Sequence, residues 1–526
     1  MKRISFIICH LTFSLALLLS ACGVSIPENY TQADGLPTIY PDYADVTVPV
    51  NIAPLSFLLD DANATDAVVR FSCGDEEIIC GGLKAQPNIG DWQALTAKAK
   101  DGDITVDVYA RQGDSWTRYQ PFAIHVSADS IDPYISYRLI SPSYVTYEEL
   151  TLNQRCLENY DEQVMVDNAL CCTEKDGQCV NCHNYQMYNP ERMQFHARQN
   201  HGGTIITYDG NIRKVNMKND SVISAGVYPT WHPTLPLIVY STNKTSQSFH
   251  TLNANKIEVN DAASDLIIYD IEKNEVANVE NDPQEFEVFP FWAPDGKTLY
   301  YSSAHFEFND TTVEHAMEVF IRACDVKYNI YKKSFDPQTR QFGPREMVFQ
   351  ADTLTTEALG MKLDSVTKIV NHRPDTLGLS ATFPRISPDG RFLLFTLGRY
   401  GVFHIWHHEA DLWLKDLQTG DVRPMDEINS KDTESYHSWS CNGRWVIISS
   451  RRNDGNFTRL FIAHIDKDGK GSKPFELPQR DPNYHREFMK SYNIPEFMRG
   501  PVTITPQEFA DVLKNDNVEP ARFVSK

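Results

Sequence analysis

Positive charge and membrane-spanning segments are scarce in this chain. Its 526 residues include 49 Lys and Arg against 70 Asp and Glu, which gives a formal net charge of −21 at pH 7. A surface this acidic repels polyanions, so the composition excludes DNA and RNA as partners. Beyond residue 19, no apolar run approaches the ~20 residues that a helix needs to cross a bilayer.

Several large enzyme classes lack their signatures here. The sequence has no Gly-x-Ser-x-Gly elbow, no His-Glu-x-x-His pair, no P-loop and no Gly-x-Gly-x-x-Gly turn. Whether the chain is an enzyme therefore stays open. Aromatic residues make up 11% of the chain, which indicates folded domains rather than disorder. A chain of this length is expected to form two or three domains.

The amino terminus predicts export and a lipid anchor. Lys2 and Arg3 precede an apolar stretch over residues 4–19, which has the length of a signal peptide. The stretch ends in Leu-Ser-Ala-Cys22, which resembles a bacterial lipobox and implies cleavage before Cys22 and lipidation of that residue. We therefore expect a signal peptide over 1–21, a tether over 22–45, and a protein held by lipid at the membrane of the bacterial cell envelope. The residues after Cys22 carry no acidic cluster, which favours the periplasmic face over the cell surface.

The stretch Cys179-Val-Asn-Cys182-His183 carries the most specific chemistry. Its spacing is that of a c-type haem attachment site, in which two thiols add to the haem vinyl groups and the imidazole binds the iron. We therefore expect haem c on Cys179 and Cys182, with His183 as the proximal ligand. Two alternatives remain open, a disulfide between the two cysteines and a zinc knuckle completed by Cys172.

A second axial ligand is expected just downstream. Asn189 is a candidate N-cap and Pro190 suits the first helical position, so the sequence predicts a helix here. Residues 131–201 are accordingly expected to form a linker with a short, mostly helical haem segment. The candidates for the distal ligand are His196, His201, Met193 and Met187.

Two other modules flank this segment. Residues 46–130 contain short β-rich runs between turn signals, as in a small antiparallel β-sandwich, and a hairpin disulfide between Cys73 and Cys80 is expected there. Residues 202–479 repeat a strand, a tight turn, a second strand and an outer hairpin, which is the pattern of a β-propeller blade. The repeats within 202–479 begin at Pro229-Thr-Trp231, Pro290-Phe-Trp292, Pro384-Arg-Ile386 and Ser438-Trp439. The tail, 480–526, looks helical at Tyr484–Tyr492 and Pro506–Asn515.

These repeats resemble the TolB-like, WD40-like (PD40) propeller repeat, whose signature is Pro-x-Trp-Ser-Pro-Asp-Gly-Lys. The resemblance covers residues 202–479 and implies an all-β protein with a propeller of five or six blades. Residues 204–216 look like a detached outer hairpin that closes the ring with C-terminal strands. His404, His407 and His408 are expected in an exposed loop.

Two hypotheses from different classes follow. In the first, the chain is a membrane-anchored c-type haem propeller with an electron-transfer or redox role in the envelope, which acts with an unidentified redox partner. In the second, it is a non-catalytic envelope scaffold whose propeller binds a protein or glycan, and the Cys179–Cys182 pair is a structural disulfide.

Overall fold

The computed structural model describes residues 24–141, 147–171, 178–249, 255–355, 378–515 and 517–525. Cys22 and Cys172 lie outside these ranges. No helix within them is long and apolar enough to span a membrane. The chain divides into two compact units, the first made of Met1–Asp45, Ala53–Ser127 and Pro478–Tyr484, and the second of Val46–Ile52, Ala128–Leu477 and His485–Lys526.

The first unit is mostly β-structure with one helix, α1 (Ile89–Lys98). The Asn88 side chain caps α1 by accepting a hydrogen bond from the Asp91 amide, and Trp92 and Leu95 are its buried apolar side chains. The ten strands up to residue 127, of which β3 belongs to the second unit, are β1 (Thr31–Gln32), β2 (Ile39–Tyr40), β3 (Val46–Pro49), β4 (Phe57–Leu59), β5 (Asp66–Cys73), β6 (Glu76–Gly81), β7 (Lys84–Ala85), β8 (Gly102–Gln112), β9 (Ser115–Arg118) and β10 (Phe122–Ser127).

Two sheets build this unit. The long strand β8 pairs with β5 on one side and with β9 and β10 on the other, and β6 and β1 extend the sheet. Strands β2, β4 and β7 form a smaller sheet. Cys80 lies opposite Val69 and Cys73 opposite Glu76 in the β5–β6 hairpin, and both thiols are free. The predicted Cys73–Cys80 disulfide is therefore wrong, because the two residues are not cross-strand neighbours.

The second unit contains the remaining strands. They are β11 (Tyr134–Ile140), β12 (Thr151–Cys156), β13 (Glu162–Asp167), β14 (Val180–Tyr185), β15 (Met193–Ala197), β16 (Gly203–Tyr208), β17 (Asn211–Asn216), β18 (Val227–Trp231), β19 (Leu237–Phe249), β20 (Ile257–Asp270), β21 (Glu275–Glu280), β22 (Glu285–Trp292), β23 (Thr298–His305), β24 (Asn329–Asp336), β25 (Gln341–Phe349), β26 (Ser380–Ile386), β27 (Phe392–Gly398), β28 (Asp411–Asp416), β29 (Val422–Pro424), β30 (Glu434–Trp439), β31 (Trp445–Ser450), β32 (Arg459–His464), β33 (Phe475–Glu476), β34 (Ser491–Met498), β35 (Glu519–Pro520) and β36 (Arg522–Phe523).

Within the described residues these strands make six four-stranded blades. Blade 1 is β34 followed by β11, β12 and β13; blades 2 to 6 are β14–β17, β18–β21, β22–β25, β26–β29 and β30–β33. The innermost strands touch in cyclic order, β14, β18, β22, β26, β30, β34 and back to β14, so the ring is closed. The predicted β-propeller is confirmed, and its first blade takes its inner strand from near the end of the chain.

The blade repeat is built by its turns and by its apolar anchors. Gly296 and Gly390 have φ values of 63° and 77°, which Pro-Asp-Gly turns require. The Asp295 carboxylate accepts a hydrogen bond from the Lys297 amide at 2.7 Å and so closes its turn. Trp231, Trp292, Ile386 and Trp439 are buried and belong to the apolar clusters of the propeller.

The segment predicted to be a mostly helical linker is part of the propeller. Residues 193–197, expected in a helix, form β15, which is buried along its whole length. Asn189 does accept a backbone hydrogen bond, from the Glu191 amide at 3.0 Å, but this closes a turn between two strands. Pairing with β14 and β16 therefore overrides the local helix signal. The hairpin over 204–216 is confirmed as β16 and β17, but these are the outer strands of blade 2. The C-terminal strand β35 pairs with their edge, whereas the ring is closed by β34, so the expectation that this hairpin closes the ring was wrong.

The tail is only partly helical. Helix α4 (Pro506–Lys514) is confirmed, with a capping box between Thr505 and Glu508. The helix expected over Tyr484–Tyr492 is limited to α3 (Tyr484–Glu487), and β34 begins at Ser491. The wide spacing between Trp292 and Ile386 contains an insertion with helix α2 (His315–Ile321), and residues 356–377 lie outside the described ranges.

Candidate functional site

The Cys182-His183 pair lies at a special position that recurs in all six blades. One residue of each inner strand has a left-handed backbone and precedes a proline or histidine. These residues are Cys182, Tyr228, Phe289, Phe383, Tyr436 and Ile494, with φ values of 58°, 48°, 53°, 53°, 36° and 52°. Each lies at or beside an irregularity in strand pairing, as expected for a β-bulge that re-aims a side chain. We call these six residues the constriction.

All six constriction residues line one small enclosed space of about 20 Å³. Its aromatic members pack against one another: ring centroids lie 4.8 Å apart for Tyr228 and Phe289, 3.9 Å for Phe289 and Phe383, and 5.4 Å for Phe383 and Tyr436. Non-glycine residues held at positive φ are strained, and such strain concentrates at functional sites. The Cys182 carbonyl accepts a hydrogen bond from the Gln194 side chain, which ties this strained residue to β15.

His183 lines the same space and is 1% exposed. Neither of its ring nitrogens has a hydrogen-bond partner among the described residues. Burial, aided by the positive charge of Arg138, lowers the pKa of His183 to about 3. The Ser136 backbone, which lies near the ring without the geometry of a full hydrogen bond, acts in the opposite direction. The imidazole is therefore neutral at physiological pH and both of its nitrogens are unsatisfied, an arrangement that costs about 1–3 kcal/mol for each polar group.

Cys179 borders a different and larger cavity of about 280 Å³. Arg138 Nη1 lies 3.8 Å from Cys179 Sγ, and the Arg198 amide donates a hydrogen bond of 2.9 Å to the Cys179 carbonyl. The described lining of this cavity is aromatic, aliphatic and polar, includes both arginines, and contains no Asp or Glu. Tyr228, Phe383, Tyr436 and Ile494 line both spaces and so separate them.

The donor set at this site fits a c-type haem in chemistry. Cys179 and Cys182 are both free thiols, and the neutral His183 imidazole is a competent metal ligand with no competing partner. Burial raises the pKa of Cys182, so that residue is a thiol rather than a thiolate. The space beside His183 is too small for a porphyrin, so attachment requires the constriction side chains to move apart. Across the described ranges, no three His, Cys, Asp or Glu side chains converge on a metal site, and Cys172 of the zinc alternative lies outside them.

The candidate distal ligands do not line the space beside His183. Met193 is buried in an apolar cluster with Phe195. His196 is buried, its Nδ1 lies 3.1 Å from Thr204 Oγ1, and burial lowers its pKa to about 3. His201 ends a short 3-10 turn after β15, and Met187 is exposed at the opposite end of the channel.

The histidines around Trp406 are not in an exposed loop. His404 and His407 are fully buried, which corrects the sequence-based expectation. His404 contacts Thr382 Oγ1 at 3.0 Å and the Tyr400 carbonyl at 3.1 Å. His407 lies between the Glu258 and Glu409 carboxylates at 3.3 and 3.4 Å, and these raise its pKa to about 10 despite burial. His407 and the two carboxylates thus form an internal ion-pair network.

Sequence reasoning missed that Cys182-His183 belongs to the blade repeat, although a signal was present. In every blade the constriction residue is followed by a Pro or His and, two positions after that, by an aromatic or apolar residue at or next to the end of the inner strand. The six matching tetrapeptides are Cys182-His-Asn-Tyr185, Tyr228-Pro-Thr-Trp231, Phe289-Pro-Phe-Trp292, Phe383-Pro-Arg-Ile386, Tyr436-His-Ser-Trp439 and Ile494-Pro-Glu-Phe497. Arg198 is brought beside Cys179 by the pairing of β14 with β15, and Arg138 reaches Cys179 from β11 of the preceding blade, so neither was indicated by the motif itself.

Comparison with known proteins gives a distant likeness in fold. No protein-family model matches the chain, and no curated protein sequence is significantly similar to it. Among solved structures it is similar to TolB from Acinetobacter baumannii, at 12% identity and a TM-score of 0.38 over 78% of this chain and 85% of that one. It is also similar to the tricorn protease, at 12% identity and a TM-score of 0.33 over 72% of this chain and 34% of that one. Prolyl oligopeptidase B from Galerina marginata matches at 9% identity and a TM-score of 0.33 over 79% and 53%.

Proposed function

We propose that this chain is a lipid-anchored envelope protein that carries one covalent haem in the channel of its propeller and serves in electron transfer. The observation that supports this most directly is His183, a buried imidazole with two unpartnered nitrogens next to two free thiols. Other buried polar atoms of the described residues also lack partners, but His183 is the one buried histidine among them with both ring nitrogens unpartnered, and a ligand that fills its coordination removes the penalty. The anchor would be the lipid on Cys22.

Each residue of the motif has a distinct role in this proposal. Cys179 and Cys182 would hold the porphyrin through thioether bonds, and His183 would bind the iron from one face. The haem supplies one-electron redox chemistry when it is bound. The aromatic side chains of the constriction would exclude water from His183, and its lowered pKa keeps the imidazole unprotonated and available as a ligand.

The test is haem content after expression beside a cytochrome c maturation system. We expect one haem per chain that survives a denaturing gel, gives a pyridine haemochrome spectrum and is reduced reversibly. Cys182→Ala should lose most of this haem, whereas Cys80→Ala, which removes a buried thiol of the first unit, should keep it. Absence of covalent haem under maturing conditions would refute the proposal and leave the scaffold hypothesis. A haem that cannot be reduced reversibly would refute the electron-transfer role alone.

A further inference from the structure

A second candidate ligand site is the cavity of about 280 Å³ that borders Cys179. Neither Cys182 nor His183 lines it, so it is distinct from the space beside the imidazole. The chain as a whole carries a formal charge of −21, yet the described lining of this cavity has two arginines, Arg138 and Arg198, and no Asp or Glu. A cleft lined by charges of one sign attracts ligands of the opposite sign, so the cavity is suited to an anion.

Arg138 brings a buried positive charge to the cavity. It is 5% exposed, and its Nη2 donates to Asn493 Oδ1 at 2.9 Å. Its Nη1 lies 3.8 Å from Cys179 Sγ, which is a weak acceptor, and its Nε has no partner among the described residues. No carboxylate of the described ranges forms an ion pair with this guanidinium. A buried charge without a counter-ion is costly, and an anion bound beside it would remove that cost.

Arg198 provides a second guanidinium at the same cavity. It directly follows β15, and its side chain is exposed. The carboxylate that acts on it, Asp261, already accepts hydrogen bonds from Asn243 and Thr245 at 2.7 and 2.8 Å. Both arginines of the lining can therefore bind a carboxylate from outside the chain, which the planar guanidinium fork matches in shape.

The rest of the lining suits a flat apolar body. Tyr228, Phe383, Phe403, Trp406 and Tyr436 all border the cavity. Neighbouring rings pack closely, with centroids 5.7 Å apart for Tyr228 and Phe403 and 5.4 Å apart for Phe383 and Tyr436. Small-molecule sites typically combine such an apolar lining with a few polar groups that fix the orientation of the ligand. The cavity therefore fits a molecule that joins an aromatic ring system to an acidic group.

We infer that this cavity binds a small aromatic carboxylate, with the carboxylate on Arg138 and Arg198 and the ring among the aromatic side chains of the lining. The inference does not rest on the proposed function. Because Cys179 also borders the cavity, the test uses the full chain made without haem maturation. Its result is then the same whether or not haem can be attached.

The probe is naphthoate, and naphthamide is its uncharged counterpart of the same shape. In isothermal titration calorimetry at pH 7, we expect naphthoate to bind roughly tenfold more tightly than naphthamide, because hydrogen bonds between two charged groups are the stronger ones. Arg138→Gln and Arg198→Gln should each remove most of this preference. Arg192→Gln is the matched control and should keep it, because Arg192 is paired with Asp209 at 2.7 Å and does not line the cavity.

A further variant, Phe403→Ala, tests the apolar part of the site. Phe403 is half-buried at the cavity, so its truncation should weaken naphthoate and naphthamide by the same factor and leave their ratio unchanged. Arg198 is exposed, so Arg198→Gln tests the inference even if Arg138→Gln folds poorly. The inference is wrong if naphthoate does not bind the unmodified chain, if it binds no more tightly than naphthamide, or if its preference survives Arg198→Gln.

Discussion

Replacing His183 with leucine is expected to stabilise the haem-free protein. The imidazole has two unpartnered nitrogens in a buried site, and leucine has a similar volume without polar atoms. Removing an unsatisfied buried polar group restores about 1–3 kcal/mol. At pH 7 the variant should therefore be more stable than the parent by about 1–2 kcal/mol.

The gain should grow as the pH falls. The pKa of His183 is about 3 in the folded protein, against 6.5 for an ordinary histidine such as that of the unfolded chain. As the pH falls, the unfolded chain therefore takes up a proton here before the folded protein does. Stability is thus lost as the pH falls from about 6.5 towards 3, and at pH 5 this residue alone accounts for a loss of about 2 kcal/mol. Leucine cannot titrate, so the advantage of the variant should increase by about that amount at pH 5.

The assay is urea denaturation at pH 7 and pH 5, followed by tryptophan fluorescence, on protein made without haem maturation. His404→Leu is the matched control. His404 is equally buried and its pKa is also lowered to about 3, but both of its ring nitrogens have partners. That variant should be destabilised at pH 7, because Thr382 and the Tyr400 carbonyl lose a hydrogen bond. If His183→Leu also destabilises the haem-free protein at pH 7, the unpartnered state of His183 is not real and the main support for the haem proposal is lost.

Two other predictions concern the propeller itself. Gly296→Ala should lower the free energy of unfolding by about 1–3 kcal/mol, because a Cβ at φ +63° would lie 2.7 Å from the His232 ring. Gly390 has φ +77° but no atom within 4 Å of the added Cβ, so Gly390→Ala should lose less stability than Gly296→Ala when both are followed by thermal denaturation. Glu287 is fully buried with neither carboxylate oxygen partnered, and its pKa is raised to about 9, mainly by burial. The folded state therefore keeps a proton that the unfolded state releases above pH 4.5, so stability falls as the pH rises towards 9. Glu287→Gln should stabilise the protein increasingly from pH 5 upwards, by about 5 kcal/mol at pH 8, and equal pH profiles for the two proteins would contradict this.

The sequence predicted the propeller because its evidence is local. Two of the repeats contain a Pro-Asp-Gly turn, a third contains Asn442-Gly443, and each has a Trp or Ile anchor before its turn, so residues 202–479 could be assigned to a propeller without any long-range information. The first two blades were missed because they lack these turns. Their place in the ring depends on β34, which pairs with β11 and touches β14 from the far end of the chain. Long-range pairing of that kind leaves no periodic signal.

The reactive residues of the candidate site could be predicted from the sequence, but the strands and side chains that surround them could not. Cys179, Cys182 and His183 could be singled out by their spacing alone. The helix predicted after Asn189 was wrong because a helix start and an Asx turn share the same residues, and burial on both faces of β15 decided between them. The arginines beside Cys179 come from β11 and from the residue after β15, and they were missed because the segment was predicted to be a helical linker and not two blades of paired strands.

The way the ring closes also determines when, during folding, the Cys-x-x-Cys-His stretch can be reached. Strand β14, which contains Cys182 and His183, lies between β18 and β34. A chain that crosses a membrane amino terminus first delivers β14 to the new compartment long before β34 arrives. During that interval the ring is open and the Cys-x-x-Cys-His stretch is reachable by an enzyme. Once β34 pairs with β11, Cys182 and His183 are enclosed, whereas Cys179 is half-buried beside its cavity. Covalent chemistry at Cys182 and His183 therefore meets least hindrance before the last step of folding, and the late arrival of β34 sets how long that interval lasts.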